Sequence, residues 1–218
     1  MNTERVILKT VDNIEIVGIY RTPPDATHAA ILLHMMPATK ESWDAFSTAL
    51  EEVGYASLAI DLRGHGESVM LGALDYKKFD DPQHQATWND VEVAFSYLKE
   101  HGFKESDIVM LGASIGANLA IQALMNHPAT PLAIALSPGV DYHGVKTDMA
   151  IANMHEQQRV VLMASDDDQE SYIDVKKLHE LNKEQTTVIE KHGAGHGTRM
   201  FENDSALIKE IISLLPEK

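Results

Sequence analysis

Apolar runs and amphipathic runs alternate from near the start of the sequence to its end. RVILKTV (5–11) and IEIVGIYR (14–21) read as strands, and the short Asp12-Asn13 turn between them makes an antiparallel hairpin the natural pairing. AAILLH (29–34) reads as a buried strand, followed by a helical stretch, ESWDAFSTALEEVG (41–54), that stops at Gly54. YASLAIDL (55–62) is the next strand, and it runs into the turn-rich RGHGES. Residues 69–82 lack periodicity and read as a surface loop. HQATWNDVEVAFSYLKEHG (84–102) carries apolar residues at helical spacing, with Gly102 after its end. DIVMLG, PLAIALS, RVVLMAS and TTVIEKH are further strands. Between and after them, SIGANLAIQALMNH, VKTDMAIANMHE, ESYIDVKKLHELNK and SALIKEIISLL read as helices.

Continuous apolar strands separated by amphipathic helices predict a mainly parallel sheet covered on both faces. With no internal repeat and no low-complexity linker, residues 1–218 read as a single α/β domain of about eight strands. An acidic excess of 33 Asp and Glu over 18 Lys and Arg gives a net charge of −15. Such a surface repels phosphate backbones and anionic membranes, which argues against nucleic-acid and membrane partners. There is no cysteine, so disulfides and thiolate metal sites are excluded. MNTERVILKTVDN has charges where a signal peptide needs an apolar segment, and no apolar run approaches the ~20 residues that span a bilayer. A cytoplasmic protein is expected. Neither G-x-x-x-x-G-K-[ST] nor G-x-G-x-x-G occurs, so nothing supports a nucleotide cofactor.

Ligands of such a sheet bind beyond the carboxyl ends of its strands. The residues there are His34-Met35-Met36, Asp61, Ser114, Ser137 to Asp141, Asp166 to Asp168, and His192 to His196. GASIG (112–116) places Ser114 between a strand and a helix, with Gly112, Ala113 and Gly116 as small neighbours. A strained turn there exposes the hydroxyl, and the following helix aims free N–H groups, Ile115 first among them, at a developing oxyanion. The plain alternative is that Ser114 merely caps its helix.

These features resemble the α/β-hydrolase fold. GASIG matches the G-x-S-x-G nucleophile elbow, and serine, acid and histidine occur in the order that fold uses. LLHMMPATKESW resembles its HG-type oxyanion segment, DLRGHGES its D-x-R-G-x-G-x-S turn, ASDDD its acid loop and HGAGHG its histidine loop. The resemblance covers essentially the whole chain. It implies Asp168, last of the three consecutive aspartates, as the triad acid. Read as residues, Asp166, Asp167 and Asp168 could each orient an imidazole, and Asp141 is a further candidate.

His196, in a glycine-rich loop, is the expected base. His192 has the four-residue spacing of a zinc pair with it, but Gly193 and Gly195 disfavour the helix such a pair needs. The resemblance also implies Met36 as the second oxyanion donor. Met35 stands where relatives carry glycine, and Pro37 has no N–H to offer. Met35 and Met36 read equally well as core or as an acyl pocket, and Tyr142 lies in the 139–156 connection over the expected site. His34, Asp61, Arg63 and His65 read as structural, and Trp43 and Trp88 as core.

The expected function is a serine hydrolase of short- to medium-chain carboxylic esters, with no metal or other cofactor and a small-molecule ester as partner. A thioesterase, lactonase or small-amide hydrolase would use the same triad, and a non-hydrolytic binding member of the fold is a rival. Only about twenty residues separate PLAIALS from RVVLMAS, so no large lid is expected. The 139–156 connection and the 69–82 loop would be the only covers.

Overall fold

The computed structural model describes residues 2–216. Strands β1 (Asn2–Lys9) and β2 (Glu15–Thr22) form the expected hairpin, with Val6 opposite Gly18. Then come β3 (Ala29–Leu33), α1 (Asp44–Glu52), β4 (Ala56–Ile60), α2 (Asp81–Gln85) and α3 (Trp88–Glu100). The middle of the chain adds β5 (Ile108–Ala113), α4 (Ile115–Asn126), β6 (Leu132–Leu136), a two-residue ladder of β7 (Asp141–Tyr142) and β8 (Val145–Lys146), and α5 (Asp148–Ala152). β9 (Arg159–Ser165), α6 (Gln169–Leu181), β10 (Thr186–Lys191), α7 (Met200–Asn203) and α8 (Leu207–Ile212) complete it. The main sheet has eight strands in the order β1-β2-β4-β3-β5-β6-β9-β10, antiparallel at β1-β2-β4 and parallel from β4 to β10.

All residues of β3, β4, β5 and β6 are buried, because helices cover both faces of the sheet. Successive side chains go to opposite faces. Ile31 and Leu33 join Leu58, Ile60 and Met110 under α3 and α4. Ala30 and Leu32 join Val109 and Leu111 against Trp43, Phe46 and Leu50, with Leu207 and Ile211 of α8. In α3 the buried side chains Val91, Ala94, Phe95 and Leu98 fall on one helical stripe.

Three expectations shift. The helix expected over 84–102 is two helices. Asp80 caps α2 through the Gln83 N–H (2.9 Å), so helix starts inside the segment read as loop, and a turn at Thr87 separates it from α3. The helix expected over 145–156 shortens to α5, because Val145 pairs with Tyr142 in the small ladder and buries its side chain. The four-residue α7 follows the histidine loop, where none was expected. Trp43 is fully buried and Trp88 packs partly buried against the core, as read.

The turn after β4 is held by charge. Asp61, fully buried, accepts from Lys40 N–H and Lys40 Nζ (both 2.8 Å) and from Glu67 N–H (2.9 Å). Lys40 is itself only 2% exposed; burial would lower its pKa, but hydrogen bonds to Asp61, Glu41 and Glu67 raise it well above the ordinary lysine range. Arg63 spans buried Asp90 and half-exposed Asp12. His34, pushed down to about 4 by burial, accepts Leu62 N–H at Nε2 (2.9 Å) and donates from Nδ1 to Met35 O. Buried His65 hydrogen-bonds the Arg63 carbonyl (3.1 Å), so Asp61, Arg63, His65 and His34 all brace this turn.

Removing one partner strands the other charge in the interior. Lys40→Ala is expected to cost about 3–5 kcal/mol in urea unfolding followed by circular dichroism, whereas exposed Lys99→Ala should change stability by less than about 0.5 kcal/mol. Equal costs would show that the buried pair is not a brace.

Candidate active site

Ser114 stands between β5 and α4 at φ 53°, ψ −120°, outside the regions open to an ordinary L-residue. Two glycines make this turn sterically possible. A Cβ on Gly116 would lie 2.3 Å from the Leu33 carbonyl oxygen, and one on Gly112 would lie 2.0 Å from that of Gly116. The backbone of α4 is thus pressed against the ends of β3 and β5, and Ser114 is pushed outward. The serine does not cap its helix with its side chain. Its carbonyl takes the N–H groups of Ala117 (2.8 Å) and Asn118 (3.1 Å), and Oγ is left for other use.

His196 Nδ1 lies 2.7 Å from Asp168 Oδ2. Burial would raise the Asp168 pKa, but hydrogen bonds from His196, Ser137 and Ser171 hold it below the usual carboxylate range. An ionised Asp168 accepts the hydrogen bond from Nδ1–H and so leaves Nε2 as the lone-pair nitrogen. The other two aspartates have separate tasks. Asp166 accepts from exposed His192 Nδ1 (2.8 Å) and Gly193 N–H (2.9 Å). Asp167 accepts from Ser165 Oγ (2.5 Å) and Gly195 N–H (3.1 Å). Both therefore tie down the histidine loop. The rings of His192 and His196 face different carboxylates, which separates them as a metal pair. Among the described residues no group of three His, Asp or Glu side chains is arranged to hold a metal ion. Asp141, on β7, bonds to Gly144 N–H (2.7 Å) and does not line the cavity.

One residue at this centre was placed at a strand end by the sequence but given no role there. Ser137, fully buried at the end of β6 with φ 52°, accepts Gly197 N–H at Oγ (2.9 Å) and also hydrogen-bonds Asp168. Its place directly after a buried strand was the available signal.

Ser114 and His196 open on one cavity of about 530 Å³. Met35 and Met36 supply its apolar wall. Met35 is 6% exposed and belongs at the same time to the core under α1 and α8, so it is both a core residue and part of the cavity wall. Ile115 N–H, at the start of α4, has no acceptor one turn back, and Met36 N–H makes no hydrogen bond among the described residues. Tyr142 lines the opposite wall, its hydroxyl 3.0 Å from Ser171 Oγ, and burial pushes its pKa up to about 12, so it stays neutral. The remaining wall is polar: His143, Asp167, Glu170 and Arg199.

The 139–156 connection thus covers the site as expected. The 69–82 loop does not reach it. It acts at one remove, through Asp81 (3.6 Å from His143 Nδ1) and the neighbouring His84, whose ring stacks on His143.

Comparison with known proteins agrees with this architecture. No curated protein sequence matches the chain. An esterase of Pyrococcus furiosus superposes with a TM-score of 0.78 at 17% identity, covering 98% of this chain and 89% of the other. A CIB-like hydrolase of Thermoplasma acidophilum (TM-score 0.75, 18% identity) covers 98% of both chains. A dienelactone hydrolase of Anabaena variabilis (TM-score 0.75, 16% identity) covers 98% and 94%. At these identities the likeness is one of fold. The model of the family described as serine aminopeptidase, S33, matches residues 24–187, well over half of the chain. The chain belongs to that family and is a hydrolase of the α/β-hydrolase superfamily.

Proposed function

We propose that this hydrolase cleaves short- to medium-chain carboxylic esters through an acyl-enzyme on Ser114. The observation that carries the reading is the 2.7 Å bond between His196 Nδ1 and Asp168, on a cavity that also holds Ser114 on its strained turn. With Nδ1–H donated to Asp168, Nε2 is the base for the serine proton. Oγ then attacks the ester carbonyl, and the N–H groups of Met36 and Ile115 receive the oxyanion. The protonated imidazole gives its proton to the departing alkoxide, and the same nitrogen activates the water that releases the acid. The methionine wall accepts the acyl chain, and the absence of a cap of independent size favours small substrates.

The family description favours one second reading: hydrolysis of a small amide or aminoacyl substrate by the same three residues, with the amine leaving as the alcohol does.

On p-nitrophenyl esters from acetate to octanoate, Ser114→Ala is expected to lower kcat/KM by at least about 10³-fold, with the optimum chain length sizing the pocket. If folded wild-type protein cleaves none of them but releases p-nitroaniline from aminoacyl anilides, the second reading replaces the first. If it cleaves neither, Ser114 serves a binding protein.

Asp168→Asn is expected to lower kcat by about 10⁴ by allowing the wrong imidazole tautomer. Asp166→Asn, whose partner His192 is exposed, should lose far less; the reverse order would move the acid role. Because Asp168 is held below the usual carboxylate range, it stays ionised on the acid side. The imidazole must be neutral to act as base, so kcat/KM should fall as pH is lowered, about tenfold per unit, with the slope of a single proton. A two-proton slope would mean that Asp168 also gains a proton in that range.

A further inference from the structure

The chain has five arginines. Arg5 pairs with Glu67, Arg21 with Asp44, and Arg63 with Asp12 and Asp90. Arg159 donates to the carbonyls of Glu156 and Gln158, both at 2.7 Å. Arg199 alone has neither an ion pair nor a side-chain hydrogen bond among the described residues, and it is the one that lines the cavity with Ser114 and His196. In a chain with 33 acidic residues against 18 basic ones, an arginine without a carboxylate goes against the prevailing composition.

The backbone of Arg199 is nevertheless well placed. It closes the short turn Gly197–Arg199, its N–H donates to His196 O (3.2 Å), and that turn is pinned by Gly197 N–H to Ser137 Oγ. The guanidinium therefore starts from a fixed point three residues beyond the proposed base. The acids on the same cavity are mostly occupied. Asp168 holds His196, and Asp167 holds Ser165 Oγ and Gly195 N–H. Glu170, exposed at the first turn of α6, is the remaining carboxylate without a partner.

We infer that Arg199 is a specificity residue that binds a carboxylate on the substrate, so that the preferred esters carry a single negative charge remote from the bond that breaks. The inference rests on the esterase reading above and names its substrate class. A guanidinium presents two parallel N–H groups that match a carboxylate. A dianion such as phosphate would meet Asp167, Asp168 and Glu170 with only one cation to offset them, so the charge balance selects a monoanion. Suitable substrates are half-esters of short dicarboxylic acids and similar ω-carboxylate esters. Cleavage consumes one water and yields the alcohol and the free diacid.

The test is pH-stat hydrolysis of monomethyl glutarate, adipate and pimelate against methyl pentanoate, hexanoate and heptanoate, which replace the distal carboxylate by methyl. Wild-type protein is expected to favour the charged member of at least one pair by about tenfold in kcat/KM. Arg199→Gln should reduce that ratio to about one, Arg199→Lys should keep part of it, and Glu170→Gln should increase it. A ratio that Arg199→Gln leaves unchanged, or a wild-type preference for the neutral members throughout, would overturn the inference while the esterase reading stands. If no ester is turned over, the esterase reading fails and binding decides. Calorimetry of the three half-esters with Ser114→Ala should then show affinity that falls about tenfold when Arg199→Gln is added. Equal affinity, or none, would overturn the role of Arg199.

Discussion

The close approach of α4 to the ends of β3 and β5 is the constraint on which the site depends. Gly116 lies so near the Leu33 carbonyl, and Gly112 so near Gly116, that a single added carbon at either place has no room. That contact forces the chain to turn within one residue, and the residue in the bend takes the positive φ. Strain of this kind costs on the order of 1–3 kcal/mol and persists only where packing over-determines it. Here the packing is the fully buried β3 and β5 and the buried first seven residues of α4, 115–121. The same geometry opens a helix N-terminus beside the serine, so the proposed nucleophile and one proposed oxyanion donor arise from one steric event.

The partners of Ser114 depend on it only indirectly, since they come from β9 and from the loop after β10. What brings them into register is a set of local ties between neighbouring parallel strands. Asp166 and Asp167 accept N–H groups of the histidine loop, Ser137 accepts Gly197 N–H from one strand further in, and Asp168 is thereby left facing His196. Three consecutive acids do two kinds of work: two fix a loop, and one orients a ring. The division arises in the turn after β9, where the three side chains meet three different partners.

Much of this could be read from residues alone. The alternation of apolar and amphipathic runs defines the layers because burial on both faces leaves a strand few polar positions, as AAILL shows. GASIG and the order of serine, acid and histidine point to the candidate site because the proposed chemistry admits few residue types. Less visible were features set by pairing at a distance. Val145 looks like the start of a helix until Tyr142 is seen opposite it. Lys40 looks like a solvated lysine until Asp61 is found 21 residues later and buried beside it. The pocket was expected to be apolar from its two methionines. Its polar wall comes from His143, Glu170 and Arg199, on three separate segments that no local pattern connects.

The central claim is that Ser114 is a nucleophile activated by His196 and not a helix cap. The most direct measurement is covalent trapping with a p-nitrophenyl alkylphosphonate, followed by intact mass and peptide mapping. A single adduct on Ser114, formed with release of p-nitrophenolate and lost or greatly slowed in His196→Ala, is expected. An unmodified Ser114 in folded protein, or labelling that proceeds equally without His196, would show that the turn holds the serine for some purpose other than catalysis.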